Sequence, residues 1–249
     1  MKKVALVFTA LLLLLPLAAS AQFIDDEFNG SLGEWVDGYG DWQPRGGMMV
    51  QRDTTTGLAR AQRPAAQRGE VEYSFLVRYE AGGFEDEAAL RAQEFHAGFG
   101  IHVGVENPPR AGAPAWGAGD SYLLWLNLDT RPDTHRNARE HFGFRGQVYR
   151  SRTNARMSLM DSFNVDIPAA LSQAGYDVDI EDIDRFLGIL VPIKIRVNYS
   201  TGRIMVSDPT NPSLWFWFDV DPSVLRGDHV VLRTNSLAVS FANFTATRR

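Results

Sequence analysis

Cysteine is absent from all 249 residues. Disulfides, thiolate zinc sites, cysteine nucleophiles and lipidation on an amino-terminal cysteine are therefore excluded. Lysine is scarce: only Lys2, Lys3 and Lys194 occur, and arginine carries the rest of the positive charge. With 30 acidic against 25 basic side chains the formal charge is −5. That acidic balance argues against nucleic acid and anionic lipid as main partners. Long apolar runs are missing beyond the first segment, so no later window approaches a membrane span. No internal repeat or low-complexity linker divides the chain. An apolar fraction of 45% and a charged fraction of 22% are globular proportions, not those of a disordered chain. A chain of this length buries roughly 70% of its unfolded surface without a covalent staple.

The first segment has the make-up of a leader. Lys2 and Lys3 precede an apolar stretch, 4–17, containing Leu11-Leu12-Leu13-Leu14-Leu15. Pro16 breaks it, and Ala19-Ser20-Ala21 supplies small residues at the cleavage positions. Residues 1–21 read as a secretory signal peptide cut after Ala21, leaving one domain over 22–249. The apolar stretch falls short of the roughly 20 residues a bilayer needs, which disfavours an uncleaved anchor. The expectation is an exported protein, periplasmic or extracellular.

Along the remainder the dominant signal is period-two alternation interrupted by turn residues. Strands are expected at 71–79, 95–105, 122–129, 144–152, 157–167, 193–199, 203–207, 214–220, 230–234 and 237–245. In the second of these, Ala97, Phe99, Ile101, Val103 and Val105 share one face. His96, Gly98, Gly100, His102 and Gly104 share the other. In the third, Leu123, Trp125, Asn127 and Asp129 oppose Tyr122, Leu124, Leu126 and Leu128. Ser200-Thr201-Gly202 reads as a tight hairpin, with glycine supplying the positive φ. Asp208-Pro209-Thr210-Asn211-Pro212 reads as a longer connection, because proline sits poorly in a paired ladder. Helix is expected only at 85–93, 168–174 and 181–187, plus one turn at 221–225 with Asp221 capping and Pro222 at its first position. The stretch 107–119, rich in Pro, Gly and Ala, reads as a long loop within one domain. The fold class is all-β: a two-sheet antiparallel β-sandwich of jelly-roll type with a few short helices in the connections.

Two segments carry a family resemblance. The domain opens Phe23-Ile24-Asp25-Asp26-Glu27-Phe28-Asn29-Gly30, followed by Trp35 and Trp42. It closes on Leu237-Ala238-Val239-Ser240-Phe241-Ala242-Asn243-Phe244. These resemble the first and last strands of the concanavalin A-like (laminin-G-like, laminarinase-like) jelly rolls of many exported bacterial proteins. The resemblance implies that the first strand pairs beside the last, with 193–207 and 214–220 as penultimate strands. It speaks only broadly to function, because the family is functionally diverse.

Hydrolytic members of that family place acids as Glu-x-Asp-x-x-Glu along one strand, so that two carboxylates flank a glycosidic bond. No such motif occurs here. Glu85-Asp86-Glu87 and the series Asp177, Asp179, Glu181 read as solvated acidic faces. The family's structural calcium takes an Asp from the final strand, a position held here by Ala242. That leaves Asp25, Asp26 and Glu27 as remaining oxygen donors and no cofactor as the expectation. His96 and His102 lie about 20 Å apart along one strand, too far to share a metal.

Aromatics provide the remaining signal. Sugar rings stack their C–H faces on tryptophan while amides and charged groups fix the hydroxyls. The ligand-binding residues expected on the concave sheet are Trp125 as platform, Asn127 as hydroxyl partner, and His102 and Arg145 at the margin. Gly98, Gly100 and Gly104 would leave a shallow depression beside them. The sequence also allows Trp125 to be core, and it leaves Trp215 and Trp217, which share a face with Asp219, either exposed or packed. Three functions stay open: an exported non-catalytic glycan-binding or cell-envelope module, a glycoside hydrolase with an unrecognised carboxylate pair, and a structural envelope protein that meets another protein.

Overall fold

Val71, Tyr73, Phe75 and Val77 occupy alternate positions, and a strand built that way buries one face. The structure, a computed structural model, describes residues 21–82, 96–129, 143–165, 188–209 and 211–249. Strands are numbered along the chain. One sheet runs β13 (Asn211–Asp219), β12 (Arg203–Asp208), β11 (Val191–Asn198), β6 (Glu70–Ala81), β15 (Ala238–Arg248), β4 (Met48–Gln51) and β3 (Trp42–Arg45). Its eighth strand, β1 (Ala21–Asp26), also pairs with β15. The second sheet runs β10 (Arg156–Val165), β9 (Gly143–Thr153), β8 (Asp120–Asp129), β7 (His96–Glu106), β14 (His229–Asn235), β5 (Ala59–Pro64) and β2 (Val36–Tyr39). Every pairing is antiparallel, and the all-β sandwich expected from the alternation is what forms. Among the described residues no helix is long and apolar enough to cross a membrane.

The core lies between the sheets. Val71, Tyr73, Phe75 and Val77 of β6 share it with Ile101 and Val103 of β7, Leu124 of β8, Val148 of β9 and Leu232 of β14. The two chain ends meet as the resemblance implied, with Asp26 of β1 opposite Phe244 of β15. A bulge between Ala242 and Thr245, where Asn243 takes φ +49°, lets Phe241 and Phe244 both point inward although they are three residues apart. Phe75 contacts both rings, at 5.9 and 5.5 Å between centroids, while Trp42 stacks on Phe241 and Trp35 meets Phe244 edge-on. Each buried ring contributes roughly 1.5–3 kcal/mol by area alone.

The Ser200-Thr201-Gly202 hairpin forms, with Gly202 at φ +80° and a carbonyl so close that a Cβ would clash. The turn at Pro222–Val224 is a single 3-10 turn whose cap Asp221 accepts a hydrogen bond from the Ser223 amide at 2.9 Å. The connection expected over 208–212 is shorter than anticipated. β12 runs to Asp208 and β13 starts at Asn211, so Pro212 lies within a strand. It is tolerated because β13 is a sheet edge. Strands β2 to β5 carried no clear alternation and were not anticipated. The expected helices at 85–93, 168–174 and 181–187 lie outside the described residues, as do residues 1–20 of the leader.

Candidate functional site

The outer face of the seven-stranded sheet, turned away from the inter-sheet core, collects side chains from five strands. Register sets Gln147, Trp125, Gly100, Arg233 and Arg60 in one row across β9, β8, β7, β14 and β5. The adjacent row is Tyr149, Leu123, His102, Val231 and Gln62. On the other side Asn127 lies opposite both Gly98 and Arg145. The structure therefore brings Trp125, Asn127 and His102 onto one face and puts Arg145 at the adjoining register position. The Arg145 side chain lies outside the described part of the chain.

The open depression expected there does not form. Trp125 and Asn127 are each 3% exposed and His102 is 1% exposed. The glycines explain the difference. A Cβ on Gly100 would stand 2.8 Å from Trp125 Cε3, and one on Gly98 would stand 2.6 Å from Asn127 Cβ. Their missing side chains make room for Trp125 and Asn127 to lie down over β7, which fills the hollow. Gly104 serves its backbone instead, at φ +66° against Leu225. Trp125 is a packed side chain and not an exposed stacking platform.

Polar satisfaction on this face is incomplete. His102 Nδ1 lies 3.1 Å from Ser121 Oγ, which itself donates to the Ala118 carbonyl at 2.7 Å. Among the described residues the buried His102 Nε2, Gln147 Nε2 and both amide atoms of Asn127 have no hydrogen-bond partner. Each such group costs about 1–3 kcal/mol when left unpaired, so a patch of them needs a reason beyond packing.

The loop 107–119 is drawn onto one end of the face by arginine. Arg60 Nη2 donates to the carbonyls of Gly38, Arg110 and Ala113 at 3.1, 2.8 and 2.6 Å. Arg233 donates to the Trp116 carbonyl, and its guanidinium lies 5.2 Å from the centre of the Trp116 ring. Trp116 remains 42% exposed. Sequence reasoning missed all three residues. Nothing in the alternation singles out Arg60 or Arg233, which are 2% and 4% exposed.

The chain is similar to several solved structures. These include the carbohydrate-binding module CBM66 from Bacillus subtilis, at 11% identity and TM-score 0.50, covering 86% of this chain and 94% of that one. Lectin II from Ulex europaeus matches at 13% identity and TM-score 0.52, covering 93% and 99%. The chain has the concanavalin A-like fold. A protein of unknown function with a galectin-like fold from Bacillus subtilis aligns with the same concanavalin A-like sandwich, at 12% identity and TM-score 0.51 over 92% and 98%. No protein-family model and no curated protein matches the sequence.

Within this concanavalin A-like sandwich, Ala242 of β15 stands buried where the resemblance placed an Asp. Asp26 is already engaged, accepting from Trp35 Nε1 at 2.7 Å and from Arg63. Among the described residues no three His, Asp or Glu side chains converge as a metal site. Neither row of the outer face contributes an Asp or Glu. On the opposite sheet Trp215 and Trp217 are exposed, at 48% and 50%, and stack on each other at 5.0 Å beside the Arg203–Asp219 ion pair.

The sandwich also sets a pH dependence. Burial, aided by the charges of Arg233 and Arg60, holds the His102 imidazole well below its usual 6.5. The unfolded chain therefore takes up this proton first as pH falls. Its contribution to stability is full above about 6.5 and declines below it, by up to about 1.4 kcal/mol per pH unit. Denaturant titrations at pH 7 and pH 5 should show a steeper loss for the wild type than for His102→Gln. Equal losses would contradict the assignment.

Proposed function

We propose that this protein is an exported glycan-binding module whose ligand face is the outer face of the seven-stranded sheet. The observation that carries the reading is Asn127, whose amide oxygen and nitrogen are both buried without a hydrogen-bond partner among the described residues. One amide offers donors and an acceptor side by side, the pattern that neighbouring sugar hydroxyls satisfy. His102 Nε2 and Gln147 Nε2 extend that pattern across β7 and β9. The fold supports the reading, since similar structures are a carbohydrate-binding module and a lectin. The leader-like composition of residues 1–21 supports export to the periplasm or cell exterior.

Asn127→Leu tests it, because the exchange keeps the side chain's bulk and removes only the amide. Stability should hold or rise, since the amide makes no internal hydrogen bond to lose. Binding on a glycan array should fall about tenfold or more. A variant that melts lower yet binds as the wild type would contradict the reading.

A second reading is favoured by the exposed Trp215–Trp217 stack, which would offer the contact from β13 of the other sheet. Replacing both tryptophans by alanine should barely change melting, because half-exposed side chains leave no buried cavity. Loss of glycan binding in that double variant, with Asn127→Leu unaffected, would move the site there.

A further inference from the structure

We infer that Arg60 and Arg233 form a subsite for an acidic group, a carboxylate or sulfate, carried by the glycan; this rests on the glycan-binding reading of the same face. Burying a charge is costly unless it is paired. The chain obeys that rule elsewhere: buried Arg63 has Asp26 and Glu34, and Arg150 has Asp120. Arg60 and Arg233 break it. They are direct cross-strand partners on β5 and β14, nearly fully buried, and no Asp or Glu among the described residues forms an ion pair with either. Two like charges thus sit side by side in a chain that is acidic as a whole. Asp37 of β2 acts on Arg60 electrostatically but makes no ion pair with it.

Backbone carbonyls of β2 and the loop 107–119 absorb only part of this donor capacity. Arg60 Nε and Nη1 are buried with no partner, although Nη2 donates three times. Carbonyl dipoles satisfy N–H groups without supplying a compensating charge. Burial and the neighbouring Arg60 charge push Arg233 down to about 9, still protonated at neutral pH. An anionic oxygen reaching this pair would gain charge-assisted hydrogen bonds to a planar fork, the geometry at which arginine surpasses lysine. The exposed Trp116 ring lies against Arg233 and offers a stacking face beside the pair.

The test compares each acidic polysaccharide with its own neutral form: polygalacturonate against its fully methyl-esterified form, and carrageenan against desulfated carrageenan. Affinities are measured for wild type, Arg60→Met, Arg233→Met, Arg233→Lys and Asn127→Leu, with melting curves confirming that each is folded. The wild type should prefer at least one acidic form by about tenfold or more. Which pair shows the preference identifies carboxylate or sulfate. Arg233→Met should abolish the preference while sparing residual binding to the neutral form. Should it fail to fold, Arg233→Lys, which keeps the charge but not the fork, should reduce the preference several-fold. Equal or weaker binding of the acidic forms, or a preference that survives in the folded arginine variants, would overturn the inference. If binding then still depended on Asn127, the glycan-binding reading would stand without it. Failure to bind any of the four polysaccharides would overturn both.

Discussion

Trp125→Ala is expected to remove about 3–5 kcal/mol of folding stability, the range for truncating a large buried aromatic. For a chain of this size that is a fall in Tm of roughly 6–20 °C. The indole is 3% exposed and lies over Gly100, whose missing Cβ is the space it occupies. No other side chain in that row can collapse into the gap, because Gly100 has none and Gln147 and Arg233 flank it from their own strands. Trp125→Phe should recover much of the loss by refilling part of the volume. Binding should drop together with stability, since Asn127 and Gln147 are Trp125's neighbours on the same face. A thermal melt of Trp125→Ala within a degree or two of wild type would show that the indole is not packed as described.

Asp26→Ala is expected to cost about 3 kcal/mol, the lower end for removing one partner of a buried ion pair. Asp26 holds the first strand to the sandwich. It accepts from Trp35 Nε1 and from Arg63, a guanidinium whose side chain is only 7% exposed and which also lies against the Trp35 ring. Glu34 remains for Arg63 after the substitution, but at 71% exposure it compensates weakly. The contrast is Arg203→Ala, which breaks a well-aligned bidentate pair with Asp219 whose partners are both more than half exposed. That variant should melt indistinguishably from wild type. Equal effects for the two pairs, measured by denaturant midpoint, would mean that burial is not what makes the Asp26 clamp strong.

Period-two alternation revealed β6, β7, β8 and the strands from β11 onward because their apolar residues recur on one face over several positions. It failed over 36–64, where β2, β3 and β4 are four residues long and β5 reads Ala-Arg-Ala-Gln-Arg-Pro. In β5 the inward face is Ala59, Ala61 and Arg63, without a large apolar residue to stand out, and Arg60 points to the opposite face, where the loop 107–119 is laid over it. The shared face of Trp125, Asn127 and His102 was legible for the same reason as the strands. Its burial was not, because alternation sorts side chains between two faces without saying what covers the outer one. The same limit applied to Trp215 and Trp217. Their common face followed from spacing, but their exposure depends on which face of β13 is covered, since Phe216 and Phe218 of the same edge strand are buried.

Hydrogen exchange of the protein, with and without a bound polysaccharide, tests the ligand face most directly because it reports location and occupancy together. Added protection is expected in β7, β8 and β14 and in the loop 107–119, with β12 and β13 unchanged. Protection confined to β12 and β13 around Trp215 and Trp217, with none on β7, β8 or the loop, would contradict the assignment of the glycan to the outer face of the seven-stranded sheet.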